Sequence, residues 1–213
     1  MLFKRLLTGF LVTVFFSTSY ASEWKLEKSD DELGISVYTR DVSGSEFKEY
    51  KGVTEMKSSL SGVVALLKDS SNLPNWIHNM VEQKILKRKA GRSLAYSVTK
   101  GNDSESRDNI IMSSFKQSLD TSVITINMKG KPDHLPKKEN YTRIESLNGS
   151  WTISPKGNGN VEVIYQLHVE PGGNFASKMY NDVAVIESPL GTLSGMHMQI
   201  EKYQNQKLDF VSE

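Results

Sequence analysis

Between Val161 and Ile200 the apolar residues change period. Up to Val169 they alternate, with Val161, Val163, Tyr165, Leu167 and Val169 on one side and Glu162, Gln166, His168 and Glu170 on the other. Alternation of this kind predicts an antiparallel strand buried on one face and wet on the other. Beyond Pro171-Gly172-Gly173 the spacing becomes 4, 3, 4, 3, 4 and 3 through Met179, Val183, Ile186, Leu190, Leu193, His197 and Ile200. That stripe predicts one helix from Phe175 to about Lys202, some 28 residues and about 42 Å long. Pro189 is expected to kink it, because its ring removes a hydrogen bond and clashes with the carbonyl of Val185. A strand and a long helix, each with one apolar face and joined by a tight corner, must pack one over the other.

The rest of the chain supplies more strands. Residues 34–42 and 46–56 read as a first pair around Ser43-Gly44-Ser45. A helix follows, capped by Ser58 or Ser59, with Leu60, Val63, Val64 and Leu67 on one face and an end at Asp69 to Asn72. Residues 72–80 form a loop or brief helix anchored by Trp76. A hairpin turns at Ala90-Gly91-Arg92, and further strands are expected over 107–117, 121–129 and 141–154. Residues 130–140, with two prolines and three lysines, read as a solvated loop, and a second hairpin turns over 155–160. The fold class is α+β: a curved antiparallel β-sheet wrapped around a long C-terminal α-helix, with an internal hydrophobic cavity between them.

The N-terminus carries a different signal. Lys4 and Arg5 precede an apolar run from Leu6 to Phe16 and the small-residue site Ser19-Tyr20-Ala21. This order predicts a signal peptide over residues 1–21, cleavage after Ala21, and export to the periplasm or beyond. An apolar run of 11 residues is short against the roughly 20 of a spanning helix. Residues 22–213 then form a single domain. Of 26 Lys and Arg in the whole chain, setting aside Lys4 and Arg5 leaves 24 against 25 Asp and Glu. That balance argues against nucleic acid, which requires a positive field. With no cysteine, thiol catalysis and anchoring through a lipidated cysteine are excluded.

Several stretches in order resemble the START family of lipid-binding domains, members of the helix-grip superfamily. They are Glu23-Trp24-Lys25-Leu26, Gly34 to Arg40, Phe47 to Gly52, Trp76, Ser106-Arg107-Asp108, Gly149-Ser150-Trp151, and His168 to Gly173 leading into a Pro-containing terminal helix. The resemblance runs from Trp24 to about Ile200. It implies a helix-grip fold and a non-enzymatic monomer that binds one lipid or sterol-like molecule under a C-terminal lid helix, with transient contact with a membrane surface and no cofactor. Where sterol-binding members can place an arginine, six positions after Arg107, this chain has Ser113.

The candidate cavity residues are Trp76, Tyr96, Arg107, Met112, Ile126, Trp151, Tyr165, Leu167, Met179, Val183, Ile186, Leu190, Leu193 and His197. Arg107 and Asp108 are strand neighbours and so must face opposite ways. Arg107 can hold a lipid headgroup or a cavity water, or each charge can form a structural ion pair, and the rarity of unpaired buried charges favours the second. His78, His134, His168 and His197 are not spaced as metal ligands. There is no G-x-S-x-G elbow, and Asp30-Asp31-Glu32 and Glu170 read as solvated charges. Methionines on strands and on the terminal helix suit an irregular pocket or an ordinary core. The alternative is an enzyme, cyclase-like or hydrolase-like, acting on an apolar substrate in the same cavity. Two titratable side chains facing each other there would mark it.

Overall fold

A computed structural model, which describes residues 22–101 and 105–213, places the alternating segment inside a ten-stranded sheet. The leader expected over residues 1–21 lies outside the described residues. The chain runs through β1 (Lys25–Asp30), β2 (Ile35–Arg40), β3 (Glu49–Lys57), helix α1 (Leu60–Lys68), β4 (Met80–Lys89), β5 (Arg92–Lys100) and β6 (Ser106–Gln117). It continues through β7 (Ile124–Gly130), β8 (Thr142–Arg143), β9 (Ser146–Gly157) and β10 (Asn160–Glu170). The order across the sheet is β1-β2-β3-β10-β9-β7-β6-β5-β4, all neighbours antiparallel, with β8 pairing in parallel with β6. The C-terminal helix, α2, is α-helical over Ser177–Met179, a π-helix over Tyr180–Ala184, and α-helical again over Val185–Ile200. This is the α+β helix-grip fold, with α2 packed on β2 and β3.

The core lies between α2, α1 and the inner face of the sheet. Val161, Val163, Tyr165, Leu167 and Val169 are all buried, and the residues between them are half-buried. Helix α1 starts where Ser59 Oγ accepts from Gly62 N at 2.9 Å, so the second of the two expected caps is used. The Glu213 carboxylate accepts from Leu60 N at 2.8 Å and Ser61 N at 3.0 Å, so the last residue of the chain finishes the cap.

Three expectations are corrected and one strand is added. Strand β1 was not anticipated, because an edge strand reading Lys-Leu-Glu-Lys-Ser-Asp is mostly exposed and has no apolar alternation. The strand expected over 141–154 is two, since the chain breaks between Arg143 and Ser146. There Ile144 N bonds to Asp108 O and Glu145 N to Glu170 O, two separate partners. The hairpin expected over 155–160 turns only at Asn158-Gly159, with Pro155 inside β9 opposite Val161. Last, α2 departs from α geometry at Tyr180–Ala184, a turn before Pro189, which sits within the regular Val185–Ile200 stretch.

The π segment alters which face of α2 looks inward. Tyr180, Val185, Pro189, Leu193, Met196 and Ile200 are buried, a spacing of 5, 4, 4, 3 and 4. The interval of five across the π turn rotates the first part of the helix relative to the second. Of the expected stripe only Leu193 and Ile200 are buried, Ile186 and Leu190 pack on the core half-buried, and Met179 is 40% exposed.

Candidate functional site

Between the sheet and α2 lies a cavity of about 720 Å³. Its apolar wall comes from the inner faces of β7, β9 and β10: Ile126, Met128, Leu147, Trp151, Tyr165 and Leu167. Trp151 and Tyr165 are register partners on adjacent strands, and their rings stack 4.1 Å apart at 12°. Helix α2 contributes Tyr180, Ala184 and Ser188, one residue per turn along the face that the π segment sets.

A chain of hydroxyls runs between these walls. Tyr50 Oη lies 3.2 Å from Tyr165 Oη and 3.3 Å from Ser188 Oγ, linking the sheet to the helix. Burial pushes the phenols of Tyr50, Tyr165 and Tyr180 above their ordinary value, so all three stay neutral near pH 7. They offer uncharged hydrogen bonds to a polar group inside an otherwise apolar space.

The opposite wall, from β5 and β6, is polar. Ser93 pairs with Ser113, Ser97 with Asn109 and Thr99 with Arg107 across the two strands, all six on the cavity side. Ser97 Oγ donates to Asn109 Oδ1 at 2.6 Å. The buried Arg107 lies 4.6 Å over the ring of Phe175 and forms an ion pair of 3.3 Å with Glu105. Asp108 faces the other way and is held by Arg143 through bonds of 2.7 and 3.0 Å. His78 also reaches the lining, and desolvation lowers its pKa against the opposing charge of Glu187.

Of the fourteen candidates, Arg107, Ile126, Trp151, Tyr165 and Leu167 line the cavity. The other nine lie elsewhere. Tyr96 and Met112 project from the outer faces of β5 and β6, since their neighbours Ala95, Ser97, Ile111 and Ser113 take the inner positions. Tyr96 is nonetheless buried, in a small second cluster with Val98 and Ile110 beneath Leu135 and Tyr141. Trp76 is a core residue under α2, edge-on to Trp151 at 6.3 Å. On α2, Leu193 is fully buried in the core, Ile186 and Leu190 pack on it, and Met179 and Val183 lie off the inner face. His197 Nε2 lies 2.8 Å from Thr54 Oγ1, where it ties α2 to β3.

Sequence reasoning passed over Tyr50, Tyr180, Ser188, Ser97 and Asn109. Small polar residues at alternate positions of β5 read as a wet face, and nothing local shows that this face lines a cavity. Tyr50 carried a weak signal, as an aromatic in the near-alternating stretch over residues 46–56.

No family model matches the chain. An uncharacterised protein of Pseudomonas aeruginosa is 36% identical over 183 residues, 85% of this chain and 89% of that protein. The crystal structure of a STAR-related lipid transfer protein fragment from Xanthomonas axonopodis matches with a TM-score of 0.77 and 30% identity, over 84% of this chain and 98% of that one. Human StAR-related lipid transfer protein 5 shares the fold at 15% identity, with a TM-score of 0.75 over 84% of this chain and 87% of its own. An aromatase/cyclase from Streptomyces also shares it, at 11% identity and a TM-score of 0.51 over 72% of this chain and 93% of its own.

Proposed function

The chain belongs to the START family of lipid-transfer domains, and from that premise we propose that it binds one lipid or similar hydrophobic molecule in the cavity beneath α2. The observation that carries the reading is the cavity itself. Its 720 Å³ falls within the roughly 300–1,000 Å³ of small-molecule sites. Its amphipathic walls suit a molecule with an apolar body and an uncharged or anionic polar end. About ten buried methylenes would gain ~8 kcal/mol gross, enough for micromolar affinity before ordering costs.

The role proposed is carriage or sequestration in the cell envelope by a monomer, following export and cleavage after Ala21. Support for a carrier over an enzyme comes from the facing pair Tyr50 and Tyr165. Burial raises the pKa of both phenols still further above neutral pH, the wrong direction for a general acid or base working near pH 7. The test is extraction and mass spectrometry of material that copurifies with the exported protein, beside native mass spectrometry of the intact chain. The expected result is a protein beginning at Ser22 and carrying one bound lipid. Empty protein that takes up nothing from vesicles or from solution overturns the reading.

A further inference from the structure

Among the described residues, the exposed part of the cavity lining is concentrated at one place. Lys68, the turn from Arg88 to Arg92, and Phe210 form a rim where the end of α1, the β4–β5 hairpin and the C-terminal tail meet. Asn79 and Lys100, the other exposed lining residues among the described residues, lie together at the far end of β4 and β5, joined by a backbone hydrogen bond of 2.9 Å.

The rim is strongly charged in a chain that is nearly neutral. From Gln83 to Lys100 there are six cations and no carboxylate, against 26 basic and 25 acidic residues in the whole chain. Among the described residues, Lys68, Arg88, Lys89 and Arg92 enter no salt bridge. Lys68 instead sits 4.0 Å over the ring of Phe210. Desolvation and the neighbouring Arg88 charge both hold its ammonium below the ordinary lysine pKa. Carboxylates also lie at this end of the molecule: Asp69, which follows Lys68 and accepts from Tyr203 Oη and Ser71 Oγ, Asp120 in the β6–β7 turn and Asp209 beside Phe210.

Apolar side chains flank the cations. Leu119, in the β6–β7 turn beside the basic hairpin, is 92% exposed, and Phe210 is 49% exposed. Cations around a cavity mouth, with an aliphatic and an aromatic side chain projecting beside them, match a surface of phosphates over hydrocarbon.

We propose that this end of the molecule docks on an anionic phospholipid bilayer, with Lys68, Arg88, Lys89 and Arg92 on the lipid phosphates and Leu119 and Phe210 at headgroup depth. The cavity mouth then faces the membrane, and a lipid passes between bilayer and cavity along the β4–β5 hairpin without α2 having to lift. The docking surface rests on the lipid-binding reading only for its purpose, so the two can be separated experimentally.

The test compares the full mature chain with the variant Arg88→Glu/Lys89→Glu/Arg92→Glu and with the control Lys28→Glu/Lys57→Glu/Lys129→Glu, all at exposed positions. Flotation is measured with phosphatidylcholine vesicles, with and without about 30% phosphatidylglycerol. Uptake of a short-chain fluorescent phospholipid delivered in solution is measured in parallel. The wild type and the control should float with anionic vesicles and much less with neutral ones, and binding should fall steeply as salt rises from about 0.05 to 0.5 M. The hairpin variant should bind anionic vesicles on the order of 100-fold more weakly.

Equal flotation of the hairpin variant and wild type, or equal binding of wild type to neutral vesicles, overturns the docking surface. So does self-association of the wild type that the hairpin variant abolishes, with no flotation by either. If the wild type floats as expected but takes up no lipid, the docking surface stands and the carrier reading falls.

Discussion

Arg143 donates from Nε and Nη2 to the two carboxylate oxygens of Asp108, at 2.7 and 3.0 Å, with both side chains sealed from solvent. The same guanidinium donates to the carbonyls of Pro132, Leu135 and Pro136. Beside the backbone bond from Lys131 N to Ile110 O in β6, this one side chain therefore fastens the loop over residues 131–140 to the strand. The Asp108 carboxylate raises the Arg143 pKa through hydrogen bonding, against the desolvation that lowers it. Replacing one member of a buried pair leaves the other uncompensated, so Asp108→Asn and Arg143→Met should each cost about 3–5 kcal/mol, the second more because three carbonyls also lose their donor. Urea denaturation measures both. The double variant Asp108→Asn/Arg143→Met should lose less than the sum, and strict additivity would show that the pair is not coupled.

Gly195 in α2 is placed where a Cβ would lie 2.2 Å from the backbone oxygen of Trp76. At Gly52 in β3 the nearest atom is instead the end of the Leu193 side chain at 2.7 Å, followed by Pro189 Cβ at 3.1 Å. Alanine favours a helix over glycine by about 1 kcal/mol, so propensity alone makes Gly195→Ala stabilising. The contact with backbone, which cannot rotate away, reverses the sign. Gly195→Ala should lose about 1–3 kcal/mol and should lose more than Gly52→Ala, read by thermal denaturation with tryptophan fluorescence.

These close approaches are invisible in the sequence, and the reason shows which parts of the fold were readable. Alternation in β10, the serine cap of α1 and the turn residues of the hairpins are local devices, and each predicts its element without knowledge of the rest. The inward face of β5 is not local. Tyr96 is buried on the outer face because Leu135 and Tyr141 cover it, held there by the Arg143 hook, while Ser93 and Ser97 take the cavity side. An aromatic beside serines reads as the buried residue, and it is buried, on the wrong side for the cavity. The phase of α2 failed for a different reason. An inserted π turn breaks the 3.6-residue period that the stripe assumed, and no residue type marks it.

Ala95 on β5 is buried and lines the cavity between Ser93 and Ser97. A phenyl ring added there has empty space to enter, whereas in a filled core it would force its neighbours apart. Ala95→Phe should keep wild-type stability and reduce lipid retention by about tenfold, the lower range of what a changed pocket contact achieves. Met112→Ala, on the outer face of β6, should leave retention unchanged. Copurified lipid per protein, quantified by mass spectrometry, checks both.

Stability should also fall on mild acidification. Desolvation lowers the pKa of both His78 and His197 from 6.5, while Glu187 and Asp30 respectively oppose the shift. Between the lowered folded values and the ordinary one, the unfolded chain binds more protons than the folded chain, so stability decreases as pH falls. The decline starts near pH 6.5, continues until the folded-state values are reached, and is absent above pH 7.5 or so. His197 has a structural consequence of its own, because Thr54 lies 2.8 Å from its Nε2 and links α2 to β3. His197→Gln keeps a group able to bond Thr54 but cannot titrate, so its melting temperature should change less between about pH 7.5 and 5.5 than that of the wild type. An identical pH dependence in the two proteins would remove His197 from the acid response and leave His78 to account for it.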